Sequence, residues 1–221
     1  MLKDVSFAVA TGQIAAIIGK NGCGKSTLLS IAAGLLRPDD GRVLLGGENP
    51  FTQPALRRKI GYVAQGDCLF EELTVADNLQ FWASAAGIAR EAARAGPFVE
   101  LLGLGDFWRK RVCDLSGGMR RRAAICAALL SDPLYILLDE PFSGLDLIYR
   151  EELSGFLRKL KALGKTLLYT THSPEELASL SDVALLLSDG RIARQEDTKS
   201  ISKNQADLQA VFLSYLKGEH N

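Results

Sequence analysis

Gln13-Ile14-Ala15-Ala16-Ile17-Ile18-Gly19-Lys20-Asn21-Gly22-Cys23-Gly24-Lys25-Ser26 passes from an apolar run into a glycine-rich turn and out into helix-forming residues. A short apolar run ended by a turn signal reads as a buried strand. Gly19 to Ser26 satisfy GxxxxGK[ST], and the run from Ser26 through Leu28, Leu29 and Ile31 has helical spacing. Strand before and helix after are the contexts this pattern requires. Glycines let the backbone wrap tightly, so that successive N–H groups and the helix N-terminus point at an anion. Lys25 is then placed to reach the β and γ phosphates of a nucleotide and Ser26 to bind magnesium, with Gly19, Asn21, Gly22, Cys23, Gly24 and Thr27 completing the loop. The loop fixes a class of ligand and leaves the task open.

Upstream, Val5, Phe7 and Val9 alternate with smaller or polar residues, which predicts a half-buried strand ahead of the Thr11-Gly12 turn. Downstream, strands are expected at 43–45, 60–64, 134–138, 166–170 and 183–187, with helical patterns between them. Short buried strands separated by helices imply a mostly parallel α/β sheet. Residues 66–131 carry no good strand and show helical spacing at 74–86, 91–102 and 117–130, so they read as a helical insertion. Thr74 with Asp77, and Ser173-Pro174 with Glu176, are helix-capping starts. Asp189-Gly190 is a hairpin turn signal, and 206–216 reads as a last helix.

The chain has 221 residues, 47% of them apolar, enough for one substantial core. Its 26 Lys and Arg balance 26 Asp and Glu, so no overall field draws it to nucleic acid or to an anionic membrane. The apolar stretches 28–36 and 123–130 fall far short of the roughly 20 residues that cross a bilayer, and the start has no long apolar segment of a signal peptide. A cytoplasmic location is the expectation. Cys23, Cys68, Cys113 and Cys126 form no CxxC pair, which predicts free thiols rather than a zinc site or disulfides.

Four further segments resemble, in order, the motifs of ABC (ATP-binding cassette) ATPases. Gln65 closes the strand Tyr62-Val63-Ala64 as the Q-loop does. Leu115-Ser116-Gly117-Gly118-Met119 is similar to the LSGGQ signature. Tyr135-Ile136-Leu137-Leu138-Asp139-Glu140 resembles Walker B with its glutamate, followed by a D-loop-like Ser143-Gly144-Leu145-Asp146. His172, in Thr170-Thr171-His172-Ser173, matches the switch histidine. The likeness runs from about Leu2 to Arg194, closest to bacterial drug-export-type cassettes. It implies an α/β P-loop NTPase with a mostly parallel sheet core, N-terminal antiparallel β strands and an inserted α-helical subdomain. Residues 1–221 would be one domain, the subdomain at about 66–131 interrupting a RecA-like core of 1–65 and 132–221.

The resemblance also implies roles. Glu140, His172 and Gln65 would be catalytic. Ser26, Gln65 and Asp139 would hold Mg2+, and residues 19 and 21–27 would hold ATP. Ser116, Gly117 and Gly118 would close over ATP held by a second cassette, identical or homologous, in a head-to-tail dimer. Integral-membrane transporter subunits would be the other partners, keeping the chain at the inner face of the membrane, and no nucleic acid is expected. Phe70, Phe81 and Trp82 stand where such subunits dock; on residue type alone, Phe81 and Trp82 serve equally as core. Arg120, Arg121 and Arg122 are familiar from export-type cassettes, while consecutive arginines on a helix also read as a solvated face.

Three departures stand out. The strand whose aromatic residue stacks on adenine has no room before Leu2, so either the start is truncated or the base is held less firmly. Met119 replaces the usual glutamine, and Cys23 puts a modifiable thiol in the phosphate loop. The alternative assignment is a soluble cassette ATPase of cluster assembly or nucleic-acid maintenance; the compact spacing from Lys25 to Ser116 leaves no room for the coiled-coil arms of the latter.

Overall fold

A computed structural model describes residues 2–89 and 96–198. Its six-stranded sheet has the order β2-β3-β4-β1-β5-β6. The strands are β1 (Ile14–Ile18), β2 (Ile60–Val63), β3 (Tyr135–Leu138), β4 (Thr166–Thr171), β5 (Val183–Ser188) and β6 (Arg191–Asp197). Every neighbouring pair is parallel except β5 with β6. All five residues of β1 are buried because both faces of the sheet are covered. Ile14, Ala16 and Ile18 face one apolar cluster; Ala15 and Ile17 face the other. A continuous apolar strand, rather than an alternating one, is what a sheet sandwiched between helices requires.

The helices are α1 (Lys25–Ala32), α2 (Val75–Ala85), α3 (Pro97–Leu101), α4 (Gly117–Leu129), α5 (Leu147–Ala162) and α6 (Pro174–Leu180). Leu28 and Leu29 of α1 pack on the second face with Leu2, Val5, Phe7 and Val9. Helices α2, α4 and α5 supply the first face, where Leu79, Ile125 and Leu157 are wholly buried. Each such side chain stabilises the fold by about 1.5 to 3 kcal/mol relative to exposure. Helix α2 starts where the sequence predicts: Thr74 Oγ1 accepts the Asp77 N–H at 3.1 Å. The cap of α6 follows the same logic, Ser173 Oγ accepting from Glu176 N at 3.3 Å with proline in the first turn. Between β2 and β3 every helix or strand among the described residues is helical, apart from an isolated bridge between Thr74 and Arg111.

The antiparallel pairing lies elsewhere than expected. Residues 2–9 form no strand, and 43–45 contribute only an isolated bridge from Leu45 to Glu48. Alternation reported correctly that Val5, Phe7 and Val9 turn one side to the core, but it carries no information about a partner edge. Here Gln195 takes that place: its side chain donates to Ala8 O at 2.7 Å and accepts from Ala8 N at 3.4 Å. The antiparallel hairpin is β5–β6, turned by Asp189 and Gly190 at φ 51° and 79°. Positive φ at both central residues is the geometry that suits a two-residue hairpin. Residues 91–95 of the expected 91–102 helix, and all of 206–216, lie outside the described residues. No helix among those described is long and apolar enough to cross a membrane.

Candidate functional site

Four parallel strands end at the same edge of the sheet, and each delivers one candidate group there. Gly19 follows β1, Gln65 lies two residues beyond β2, Asp139 follows β3, and His172 follows β4. The carboxyl edge of an open α/β sheet is where ligands sit, because the loops there are free to vary over a fixed frame.

The phosphate loop is wound around Lys25. Its ammonium, on a residue only 6% exposed, donates to Gly19 O at 2.9 Å and to Lys20 O at 3.0 Å. Gly24 caps α1 at φ 107° with no side-chain hydrogen bond, so the first amides of the helix are left to an outside acceptor. Gly19 is required for another reason. A Cβ there would lie 2.4 Å from Leu187 O, a backbone atom of β5 that cannot give way. Asn21, Gly22 and Ser26 are exposed along the loop.

Asp139 is buried at the end of β3, and the Thr170 hydroxyl donates to its Oδ1 at 2.5 Å. The Thr170 hydroxyl oxygen in turn accepts the Glu140 N–H at 2.8 Å. One wholly buried hydroxyl therefore ties both acidic residues to β4. Glu140 has φ 44°, a left-handed conformation that is costly for a glutamate and aims it out of the strand line. Gln65 Nε2 donates to Glu140 Oε2 at 3.3 Å, and His172 Nδ1 lies 3.7 Å from Glu140 Oε1. Gln65, Glu140 and His172, far apart in sequence, thus converge on a single carboxylate.

A second acidic group stands behind this one. Glu176 accepts from Thr171 Oγ1 at 2.5 Å and from Arg150 Nη1 at 3.2 Å. Burial pushes its pKa up, against the lowering influence of the Thr171 hydroxyl and the Arg150 charge. Arg150 Nε also donates to Leu145 O at 2.9 Å, so the turn before α5 and the first turn of α6 are joined through one guanidinium.

Ser116, Gly117 and Gly118 are not brought to the phosphate loop. Among the described residues no hydrogen bond or ion pair links them to residues 19–27. Ser116 caps α4, its Oγ accepting from Met119 N at 3.3 Å, and both Ser116 and Gly117 are exposed. Gly118 lies flat on Tyr149, whose ring a Cβ would meet at 2.9 Å. Just before Tyr149 in the chain, Leu147 and Ile148 are 76% and 71% exposed, an apolar pair the sequence reading passed over.

The arginine run separates into three environments rather than one solvated face. Arg120 pairs with Asp67 and Glu71. Arg121 is buried and bonds to backbone oxygens of the two loops carrying Gln65 and Glu140. Arg122 stacks over Phe107 and Tyr149. Spacing could have found Arg121, since it stands three residues from buried Gly118 and from buried Ala124. Phe70 and Phe81 are 45% and 47% exposed and meet edge to face at 4.8 Å, with Trp82 next in line at 5.4 Å from Phe81. All four cysteines are free, and burial pushes the Cys126 thiol up to about 12.

A family profile described as ABC transporter matches residues 2–143. The chain belongs to the ABC transporter family. Its sheet order and loop placement are accordingly those of an ATP-binding cassette on a P-loop NTPase frame. The ABC transporter ATP-binding protein NatA of Bacillus subtilis is 34% identical over 221 residues, 97% of this chain and 90% of that one. An Fe(3+) ions import ATP-binding protein, FbpC 1 of Rhizobium meliloti, is 33% identical across 100% of this chain, which spans 62% of that relative's length. Among solved structures, an ATP-binding subunit of an ABC transporter superposes with TM-score 0.82 at 30% identity, covering 99% of this chain and 92% of that one. A dimeric cassette in a post-hydrolysis state bound to ADP and Pi superposes with TM-score 0.80 at 30% identity, covering 89% and 90%. A second profile, an AAA domain described as a putative AbiEii toxin, matches only residues 111–178.

Proposed function

We propose that this cassette binds and hydrolyses ATP as the nucleotide-binding subunit of a transporter, pairing with a second cassette on ATP. The observation that carries this is the convergence of Gln65 and His172 on Glu140 at the sheet edge that also bears the phosphate loop. The residues present suit a nucleotide phosphate and Mg2+: a buried ammonium inside a glycine loop, an uncapped helix start, a hydroxyl at Ser26 and a buried carboxylate at Asp139. Mg2+, held by Ser26, Asp139 and Gln65, would neutralise charge on the phosphates.

Lys25 and the free amides at the start of α1 bind the β and γ phosphates. Glu140 orients the attacking water and accepts its proton. Gln65, bonded to the same carboxylate, senses whether that water is in place, and His172 contacts the γ-phosphate from the other side. Phosphoryl transfer needs positioning and charge stabilisation more than covalent chemistry from the protein, and these groups supply both.

The exposed signature completes the site in trans. Ser116, Gly117 and Gly118, together with Leu147 and Ile148, form the face that meets the partner's ATP, giving two composite sites between identical chains. The helical stretch at about 66–131 acts as a subdomain carrying this face, within a single domain spanning 1–221. Its exposed Phe70, Phe81 and neighbouring Trp82 receive integral-membrane subunits, which hold the cassette at the cytoplasmic side of the membrane.

The test is turnover by the purified chain and by Glu140→Gln, with size-exclusion chromatography of each in ATP and magnesium. Glu140→Gln should lose at least about 100-fold in kcat and accumulate as an ATP-bound dimer. A variant that keeps wild-type turnover would remove Glu140 from the mechanism, and a wild-type chain that neither hydrolyses nor pairs would overturn the self-sufficient homodimer.

A further inference from the structure

We propose that Arg121 is a positioning residue that sets Gln65 and Glu140 from beneath and transmits displacement of α4 to both. The inference deepens the hydrolytic reading above and rests on it for its kinetic consequence. Three backbone oxygens converge on this one guanidinium. Nη2 donates to Asp139 O at 2.6 Å, Nε to Pro141 O at 3.3 Å, and Nη1 to Ala64 O at 3.0 Å while also reaching Asp67 Oδ1 at 3.5 Å. Asp139 and Pro141 flank Glu140, and Ala64 precedes Gln65. A single planar group therefore grips the backbone on both sides of one candidate catalytic residue and directly before the other.

Glu140 needs such a grip. Its φ of 44° is a conformation that persists only where the surroundings over-determine it. Thr170 holds its amide, and Arg121 holds the carbonyls before and after it. The fork geometry matters as well as the charge, because guanidinium presents five donors in one plane where an ammonium presents three about a point. Burial works against the charged form of Arg121, and the neighbouring Asp67 carboxylate counters it.

The connection to the signature is short and stiff. Arg121 lies in the second turn of the helix that Ser116 caps. Helices move as units, so a shift of Ser116 and Gly117 on meeting a partner's nucleotide would pull or release the Glu140 and Gln65 backbones. Contact in trans and chemistry in cis would then be coupled through one side chain.

Arg121→Met and Arg121→Lys in the full chain test this by amide hydrogen exchange and by steady-state kinetics. In Arg121→Met, exchange should quicken at the Asp139 and Glu140 amides, which now donate to Val63 O and Thr170 Oγ1, while β1 exchanges as in the wild type. Its kcat should fall at least about tenfold with KM for ATP changed less than about twofold, and Arg121→Lys should recover only part of the loss. Unchanged exchange at those two amides, or unchanged kcat, would overturn the proposal; full recovery by lysine would reduce it to a charge effect and overturn the fork. Should Arg121→Met fail to fold, the lysine variant decides by the same two readings. Exchange needs no turnover, so a wild-type chain without ATPase activity would sink the hydrolytic reading while the exchange result still judges Arg121.

Discussion

Two helix starts in this chain serve as anion sites in the function proposed above, and they are finished differently. Helix α1 begins at Gly24, has no side-chain cap, and is backed by a buried lysine. Helix α4 begins at Ser116, which satisfies the Met119 amide itself, and its first glycine is exposed. The first can hold a phosphate by its own means. On the proposed reading, the second offers amides and a hydroxyl to a ligand that a partner presents. The difference teaches that a motif's spacing reports which groups are offered, whereas only the surrounding structure reports whether the offer is complete.

Substitutions can separate the two starts. The largest expected effect is at Lys25→Ala, which removes the charged donor from the phosphate loop; nucleotide affinity of the monomer should fall about 100-fold, read by titration with a fluorescent ATP analogue. Equal affinity would mean that the lysine serves only its own loop. Gly117→Asp should leave that affinity intact. A carboxylate in the first turn suits the helix dipole and would raise stability by about 0.3 to 1 kcal/mol, yet it would repel an incoming triphosphate. ATP-dependent pairing should therefore vanish while Tm holds or rises, and a retained dimer would remove the signature from the interface.

Gly118→Ala sharpens the contrast by acting on packing. The added methyl meets the Tyr149 ring at 2.9 Å, and overpacking of this kind costs about 1 to 3 kcal/mol, visible as a lowered Tm. The smallest effect is expected at Glu176. Its pKa is raised in the folded chain from the ordinary 4.5, so the folded state binds that proton more tightly than the unfolded state does. Its contribution is present below pH 4.5 and is lost as pH rises through the folded value. Comparing Tm from pH 4.5 to 7, Glu176→Gln should gain relative to the wild type as pH rises; a constant difference would show that Arg150 and Thr171 already offset the burial.

Much of the frame was legible because it depends on local signals. The apolar run at 14–18, the glycines after it, the caps at Thr74 and Ser173 and the turn at Asp189-Gly190 each state their conformation within a few residues. The candidate site was legible as types and order, and Gln65, Glu140 and His172 do meet. What could not be read depends on long-range partners. Val5, Phe7 and Val9 alternate as strand residues do and pack on the core, but the backbone between them, at Ala8, bonds the Gln195 side chain rather than a strand edge. Arg121 looked like one of three surface charges because its partners are main-chain oxygens, which leave no trace in side-chain identity. Thr170 is similar: one hydroxyl serves Asp139 and Glu140 at once, a task that its residue type does not announce until the strands lie side by side.

The ammonium of Lys25 already has partners in Gly19 O and Lys20 O. An ammonium has three N–H donors, so on the proposed reading one remains for a phosphate oxygen while the other two keep the loop wound. Such a loop keeps its shape with or without a ligand, so repeated loading and release would need no rewinding of it.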